Sequence, residues 1–357
     1  MIKRKKTKKI RVGNIYIGGN APITVQTMVK TDAHDVKVVV RQIKESEAAG
    51  ADITRMNVLD MESVKNFSKI KKQIKIPIVA DIHFNYLWAM EAIKQGVDKL
   101  RINPGNIGGI DKVKKIVSLA KEREVPLRIG INAGSLEKDL LEKYGGHPAP
   151  EAMVESAARN IKILEDLDYD QIVVSLKASD IQLTIQAYQL FSQKYDYPLH
   201  LGVTEAGPGK AGIIKSSIGI SSLLLKGIGD TLRVSLSADP TEEIKTGKEI
   251  LKFLGLKKGP ILISCPTCSR TQYNMLALAE KIENFLETID SSIKVAVMGC
   301  VVNGPGEARE ADVGIAGGKK TGALFVKGKI IKTIAEKEMF NELVLMIKKI
   351  IEKKEKD

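Results

Sequence analysis

The sequence predicts an α/β protein in two parts, a (β/α)8 TIM-type barrel over residues 1–256 followed by a smaller α+β domain over residues 257–357. Between residues 22 and 240, short apolar runs rich in β-branched residues alternate with longer stretches of helical period, the pattern of repeated βα units. Eight such runs, each followed by a connection long enough for a helix, fall within about 240 residues, the usual size of an eightfold barrel. A hinge of Gly255, Lys257, Lys258, Gly259 and Pro260 then separates them from a second run of mixed pattern.

The expected barrel strands are Pro22 to Met28, Ile53 to Val58, Pro77 to Ile82, Lys99 to Asn103, Leu127 to Asn132, Gln171 to Leu176, Leu199 to Thr204 and Thr231 to Leu236. After the first, Val36, Val39, Val40 and Ile43 recur at helical spacing, and Gly50 can end that helix in the left-handed conformation. An open doubly wound sheet is the alternative arrangement of the same units. In the second domain, strands are expected at Ile261 to Ser264, Lys294 to Met298, Val313 to Ala316 and Leu324 to Val326, with Gly328 turning the chain. One helix carries a stripe of Met275, Leu278, Ala279, Ile282, Phe285 and Leu286, and a second runs from Lys337 to about Lys354.

At 357 residues, 43% apolar and 28% charged, the chain has material for one large core and a smaller one. No run approaches the roughly 18 apolar residues of a membrane span, and the first residues lack a secretory apolar stretch, so no membrane partner and a cytoplasmic location are expected. The net charge of +13 is concentrated at one end: Lys3, Arg4, Lys5, Lys6, Lys8 and Lys9 crowd the first nine residues. That reads as a solvated basic arm with no specific partner. Aromatics at 4% offer few stacking platforms, and no nucleic-acid partner is expected.

Chemistry in such a barrel collects at the carboxyl ends of the strands. There the sequence places Arg55, Asp81, His83, Arg101, Asn103, Arg128, Asn132, Lys177, Ser179, Glu205, Arg233 and Ser235. Four arginines and a lysine directed at one mouth are costly to bury unless an anion compensates them, and a diphosphate fits, because a guanidinium grips two oxygens at once. Ion pairs with Asp52, Asp98, Glu205 or Asp230 are the competing explanation, and strand alternation predicts that some of these residues face away. Glu205, at a strand end before Ala206 and Gly207, is the stronger acid or base candidate; His83 is the weaker.

The chain's three cysteines are Cys265, Cys268 and Cys300. A Cys-x-x-Cys unit has three ordinary readings: structural zinc, thioredoxin-like redox chemistry and iron-sulfur ligation. His34, His83, His147 and His200 all lie in the barrel region, which weakens zinc, and a dithiol would leave Cys300 unexplained. Glu307, six residues past Cys300 in a glycine-rich segment, is the nearest carboxylate able to fold back. Spacing alone leaves a zinc-dependent barrel enzyme and an RNA-binding zinc unit as competing readings.

Longer motifs carry a resemblance. Val25-Gln26-Thr27-Met28, Val79-Ala80-Asp81-Ile82-His83-Phe84, Leu100-Arg101-Ile102-Asn103-Pro104-Gly105-Asn106, Thr204-Glu205-Ala206-Gly207 and Gly227-Ile228-Gly229-Asp230-Thr231 resemble the barrel of the 4-hydroxy-3-methylbut-2-en-1-yl diphosphate synthase family. Cys265-Pro266-Thr267-Cys268 and Met298-Gly299-Cys300-Val301-Val302-Asn303-Gly304-Pro305-Gly306-Glu307 resemble its second domain. The resemblance implies reductive ring opening of 2-C-methyl-D-erythritol 2,4-cyclodiphosphate, a cyclic diphosphate, with loss of water, in the non-mevalonate isoprenoid pathway. It also implies a [4Fe-4S] cluster held by Cys265, Cys268, Cys300 and Glu307, with flavodoxin or ferredoxin as electron donor. A homodimer is implied too, in which the second domain of one copy caps the barrel of the other. Ser269, where relatives commonly carry glycine before the arginine matching Arg270, is the one small departure.

Overall fold

The computed structural model describes residues 2–300, 306 and 308–356, and the chain divides into two compact units, residues 1–256 and 257–357.

The first unit opens with a hairpin of β1 (Ile10–Val12) and β2 (Ile15–Ile17). Eight parallel strands follow: β3 (Thr24–Met28), β4 (Ile53–Asn57), β5 (Ile78–Asp81), β6 (Lys99–Ile102), β7 (Leu127–Asn132), β8 (Ile172–Lys177), β9 (His200–Leu201) and β10 (Thr231–Leu232). They are ordered β8-β7-β6-β5-β4-β3-β10-β9, and a parallel bridge from Val174 to Leu199 joins the two ends. That bridge closes the barrel and removes the open-sheet alternative. The last two strands are shorter than their apolar runs. Beyond them pairing continues only at intervals, through Arg233 N to Leu201 O and Thr204 N to Ala178 O.

Among the described residues nine helices wrap the barrel: α1 (Val36–Ala48), α2 (Met61–Lys71), α3 (Tyr86–Lys94), α4 (Ile110–Glu122), α5 (Lys138–Lys143), α6 (Pro150–Glu165), α7 (Ile181–Lys194), α8 (Gly209–Leu224) and α9 (Pro240–Phe253). Asp35, Asp60, Asn85, Asp180 and Asp239 start five of them, each side chain accepting from an otherwise unpaired N–H of the first turn. Gly50 follows α1 with φ +90°, as a left-handed helix end requires.

Strand register sorts the side chains. One parity, including Val25, Met56, Ala80, Leu100, Ile129 and Val174, packs outward against the helices in one core. The other parity points into the barrel, and its lowest members, Ile53, Val79 and Val173, pack with Ile10, Val12 and Ile17 of the hairpin into an apolar floor.

The hairpin and the residues before it correct the solvated-arm expectation in part. Arg4 donates to Ala21 O at 2.6 Å and to the buried carboxylate of Asp230 at 3.0 Å. Lys5 bonds Gly227 O through its backbone and Tyr195 O through its side chain, and Lys8 N donates to Asp196 O. Gly227 has to be glycine: a Cβ there would lie 2.1 Å from Lys3 O. Arg4, Lys5 and Lys8 lie along the barrel foot with their heads on fixed acceptors, whereas Lys3, Lys6 and Lys9 are exposed, as a solvated arm would have them.

The second unit is a five-stranded sheet in the order β11 (Ile261–Ser264), β12 (Lys294–Met298), β13 (Val313–Gly317), β14 (Thr321–Val326), β15 (Lys329–Ala335), with α10 (Met275–Leu286) and α11 (Met339–Lys356). Met275, Leu278, Ile282 and Leu286 of α10 bury their stripe against Val295, Val297, Val313 and Ile315. β15 adds a strand beyond the sequence expectation. Lys327 and Gly328, both with positive φ, form the two-residue turn that pairs it antiparallel with β14.

Replacing Arg4 by Met leaves Asp230 buried without its cation, so the barrel should lose on the order of 3 kcal/mol in urea unfolding. A loss within experimental error would show that the arm is not fastened there.

Candidate active site

Register decides which strand residues meet. Arg55 of β4 pairs with Val79, which pairs with Lys99; Asp81 pairs with Arg101, and Arg101 with Arg128. Asn132 pairs with Lys177, and Thr231, two residues before Arg233, pairs with His200. Every one of the five predicted strand cations therefore has the inward parity. Alternation turns none of these five away, because each lies an even number of residues from its neighbour's inward position; the residues that stand apart are others of the set.

Arg55, Arg101, Arg128, Lys177 and Arg233 surround a cavity of about 270 Å³, which His83, Asn132 and Ser235 also line. Asn57, Asp81, Ser175 and Thr204 complete much of its wall. Three predicted residues stand elsewhere. Asn103 exchanges two bonds with the backbone of Gly130, at 3.0 and 2.9 Å, and braces β6 against β7. Ser179 is exposed beyond the end of β8. Glu205 is exposed after β9, on a left-handed backbone with φ +53°.

Compensation for the arginines comes from two carboxylates the sequence analysis did not credit with it. Asp81, 4% exposed, lies 3.5 Å from Arg55 Nε and 3.3 Å from Arg101 Nη1. Glu243, in the first turn of α9 and 1% exposed, lies 3.9 Å from Arg233 Nε and accepts from Lys30 Nζ and Leu236 N. Asp98 and Asp230 are engaged by Lys71 and Arg4 instead. Lys99, fully buried, is the interior cation that the reading missed. A charged residue of inward parity in an apolar strand was the available signal.

Two carboxylates do not balance six interior cations. Arg55 Nε, Lys99 Nζ, Arg128 Nε and Nη1, and Arg233 Nε are buried without a hydrogen-bond partner. Burial, followed by repulsion from neighbouring guanidiniums, pushes the Arg128, Lys99 and Lys177 groups well below their ordinary values and Arg233 to about 10. Burial alone would raise the Asp81 carboxyl, but Arg55, Arg101 and Arg128 outweigh it and hold it low. His83 is lowered by burial, with Asp81 opposing. Arg101 Nη1, which can only donate, lies 2.9 Å from its Nδ1 and 3.4 Å from its Nε2, and the shorter contact favours Nδ1 as acceptor with the ring proton on Nε2. Orphaned donors around a polar cavity are the arrangement a multiply charged anion satisfies.

At the rim, His34 ties the loop after β3 to the start of α2. Its Nδ1 lies 2.7 Å from Asp32 and its Nε2 2.8 Å from Asp60. Bonds to Asp60 and then Asp32 raise its pKa.

In the second unit, Cys265 follows β11 directly and its N–H bonds Val297 O of β12 at 3.1 Å, while Cys300 stands two residues past the end of β12. Both cysteines thus leave the same edge of the sheet. Gly299 keeps that edge open: a Cβ there would meet Thr271 Oγ1 at 2.5 Å and lie 3.6 Å from Cys265 Sγ. Cys268 is turned back by Thr267 at φ +64°, and Thr271 N donates to its carbonyl. All three thiols are free and all three act on the charge of Arg270. The backbone N–H of Arg270, and then its side chain, lower the Cys268 thiol. Three thiolate-forming side chains within electrostatic reach of one guanidinium are soft donors of the kind an iron-sulfur group takes. No group of three or more His, Cys, Asp or Glu side chains among the described residues is placed to hold a single metal ion, and Glu307 lies outside the described residues.

Fold and site together define a TIM-barrel protein with a cationic mouth and a thiol-bearing second unit. The barrel is similar in fold to dihydropteroate synthase from Stenotrophomonas maltophilia, at a TM-score of 0.52 and 10% identity, covering 70% of this chain and 97% of that one. Residues 7–248 match the GcpE TIM-barrel domain and residues 261–349 the GcpE protein C-terminal domain. The chain is 57% identical to 4-hydroxy-3-methylbut-2-en-1-yl diphosphate synthase (flavodoxin) of Thermodesulfovibrio yellowstonii, over 98% of this chain and all of that one. To the enzyme of the same name from Ruminiclostridium cellulolyticum it is 55% identical, over 96% and 97% of the two chains. It belongs to the GcpE family of 4-hydroxy-3-methylbut-2-en-1-yl diphosphate synthases.

Two measurements follow. A methyl group at Gly130 would stand 2.6 Å from Arg101 Nε, so Gly130→Ala should displace that guanidinium and weaken pyrophosphate binding about tenfold; unchanged affinity would remove Arg101 from the binding set. His34 should titrate by NMR above the ordinary value of about 6.5, with its midpoint falling in Asp60→Asn. A raised folded value means this tie is intact below the unfolded pKa and lost as pH rises through the folded one.

Proposed function

We propose that this chain converts 2-C-methyl-D-erythritol 2,4-cyclodiphosphate to 4-hydroxy-3-methylbut-2-enyl diphosphate by two-electron reductive ring opening with loss of water, in the non-mevalonate isoprenoid pathway. The observation that carries the reading is the shared inward parity of Arg55, Arg101, Arg128, Lys177 and Arg233 around one cavity, in a chain whose relatives are named for a diphosphate product. The four guanidiniums grip phosphate oxygens in pairs and Lys177 adds a point charge. Asn132 and Ser235 supply neutral hydrogen bonds at the same wall. Asp81 holds Arg55 and Arg101 in place. His83, with its proton on Nε2 at the rim, and Glu205 beyond it are the proposed proton donors.

A [4Fe-4S] cluster held by Cys265, Cys268, Cys300 and Glu307 would, when bound, supply electrons singly. Three free thiols that all act on Arg270 support it. Relatives named for flavodoxin support flavodoxin as donor, with ferredoxin the alternative, and a homodimer is the proposed working assembly. Among the described residues no helix is long and apolar enough to cross a membrane.

Anaerobic purification followed by absorption spectroscopy and iron analysis tests the cofactor, and turnover of the cyclic diphosphate with reduced flavodoxin tests the reaction. Brown, iron-loaded protein that turns over is expected; colourless, iron-free protein after competent reconstitution overturns the reading. Glu205→Gln should lower kcat by at least about tenfold with little change in KM, within the usual span of general acid catalysis, and near-normal turnover would take away its proton role.

A further inference from the structure

Lys99 lies on β6 one inward position below Arg101, in register with Val79 of the apolar floor. It does not line the cavity; it sits in the layer beneath. Its side chain is fully buried and its Nζ has no hydrogen-bond partner. The charged or titratable groups that act on it or feel it are Arg55 of β4, Arg128 of β7 and His200 of β9, whose Nε2 is buried and unpartnered as well. No carboxylate is in that set. A methionine of similar length would fill the space without the desolvation penalty, so packing alone gives no reason for an amine there.

Resting on the reaction above, ring opening supplies a reason. One carbon–oxygen bond to phosphate breaks and leaves its electron pair on the phosphate oxygen. Two electrons enter singly from the flavodoxin-class donor, which is oxidised. One proton is consumed as the neighbouring hydroxyl leaves as water. The bound ligand passes from a cyclic dianion to an open diphosphate whose extra ionisation lies near pH 6, so that it carries three charges above that pH. The four arginines beside the cavity stay protonated, which leaves Lys177 in its wall and Lys99 beneath it as the cations able to change charge, and Lys177→Met is measured alongside to tell them apart. A buried lysine switches between a neutral and a charged state.

We propose that Lys99 is a protonatable second layer of the diphosphate site, taking up a proton from solvent when the bound anion gains the charge that ring opening creates and releasing it when product leaves. Arg55 and Arg128 transmit the change: unshielded, they oppose a third cation between them, and neutralised by phosphate they no longer do. Burial, reinforced by those two guanidiniums, holds the Lys99 amine far below the ordinary lysine value in the free barrel. The consequence is a site that favours the open, more highly charged ligand over the cyclic one.

The test is isothermal titration of the oxidised full-chain holoenzyme at pH 8, in two buffers of different ionisation enthalpy, with the cyclic substrate and with the open product. Wild type should take up more protons with product than with substrate. In Lys99→Met that uptake should fall by about one proton per site, with product affinity down about tenfold, affinity for the cyclic substrate within about twofold, and Tm unchanged or higher. Unchanged proton uptake, an equal loss of affinity for both ligands, or a lower Tm with normal product selectivity would overturn the proposal in favour of a structural role. Should the methionine variant fail to fold, Lys99→Gln is measured in the same way. If wild type bound neither ligand, the function reading would fail and this inference with it; if it bound both with no Lys99-dependent uptake, the inference alone would fail.

Discussion

Asp81 is buried at the end of β5 with guanidiniums on two sides, and the barrel above its floor is organised around that one carboxylate. It lies within 3.5 Å of Arg55 on one neighbouring strand and of Arg101 on the other. Glu243, the other buried carboxylate paired with an interior arginine, already answers Lys30 and Arg233. A buried cation whose partner is taken away costs roughly 3–5 kcal/mol, so the cluster is affordable only while Asp81 is ionised or an anion occupies the cavity. The surplus of positive charge is therefore stability given up in the free protein and recovered on binding.

This distributes labour along the barrel axis. The foot is apolar and tied down by the N-terminal hairpin; the middle holds orphaned donors; the mouth is polar and open. Glycines mark where these layers crowd. At Gly202 a Cβ would stand 2.7 Å from Lys177 Nζ, and at Gly130 it would strike Arg101, so two of the interior cations owe their positions to side chains that are missing. Chemistry in the second unit follows the same economy, with Gly299 keeping clear the sheet edge from which the cysteines leave.

Much of this was legible in the residues. Alternation of β-branched runs with helical period gave the eight units, and strand-end cations gave the mouth, because both signals are local. Lys99 escaped because a lysine at the first position of a strand looks like a flanking charge until register shows it facing inward. Glu243 escaped because acids in a helix's first turn are commonplace there, stabilised by the helix dipole, and nothing local connects it to Arg233. The N-terminal arm was misread for the opposite reason: six cations in nine residues masked the alternation of Ile10, Val12, Ile15 and Ile17 around Gly13 and Asn14, which is a hairpin signal. Convergence of Cys265 and Cys300 could be suspected from spacing, but it took the parallel pairing of β11 with β12 to give it a common edge.

The arm has one more consequence, and it concerns the order in which the protein is made. Arg4 finds Asp230 across 226 positions of sequence, and Lys5 finds Gly227, so a segment made well before β10 is seated only once β10 is in place. Until β8 has emerged, Ile10, Val12 and Ile17 lack Val173 of the floor they cover, and the basic segment before them waits longer, for Asp230. Closure of such a barrel is a long-range event, slow compared with the formation of its local βα units, and the interval before it is when this chain is most open to misassociation.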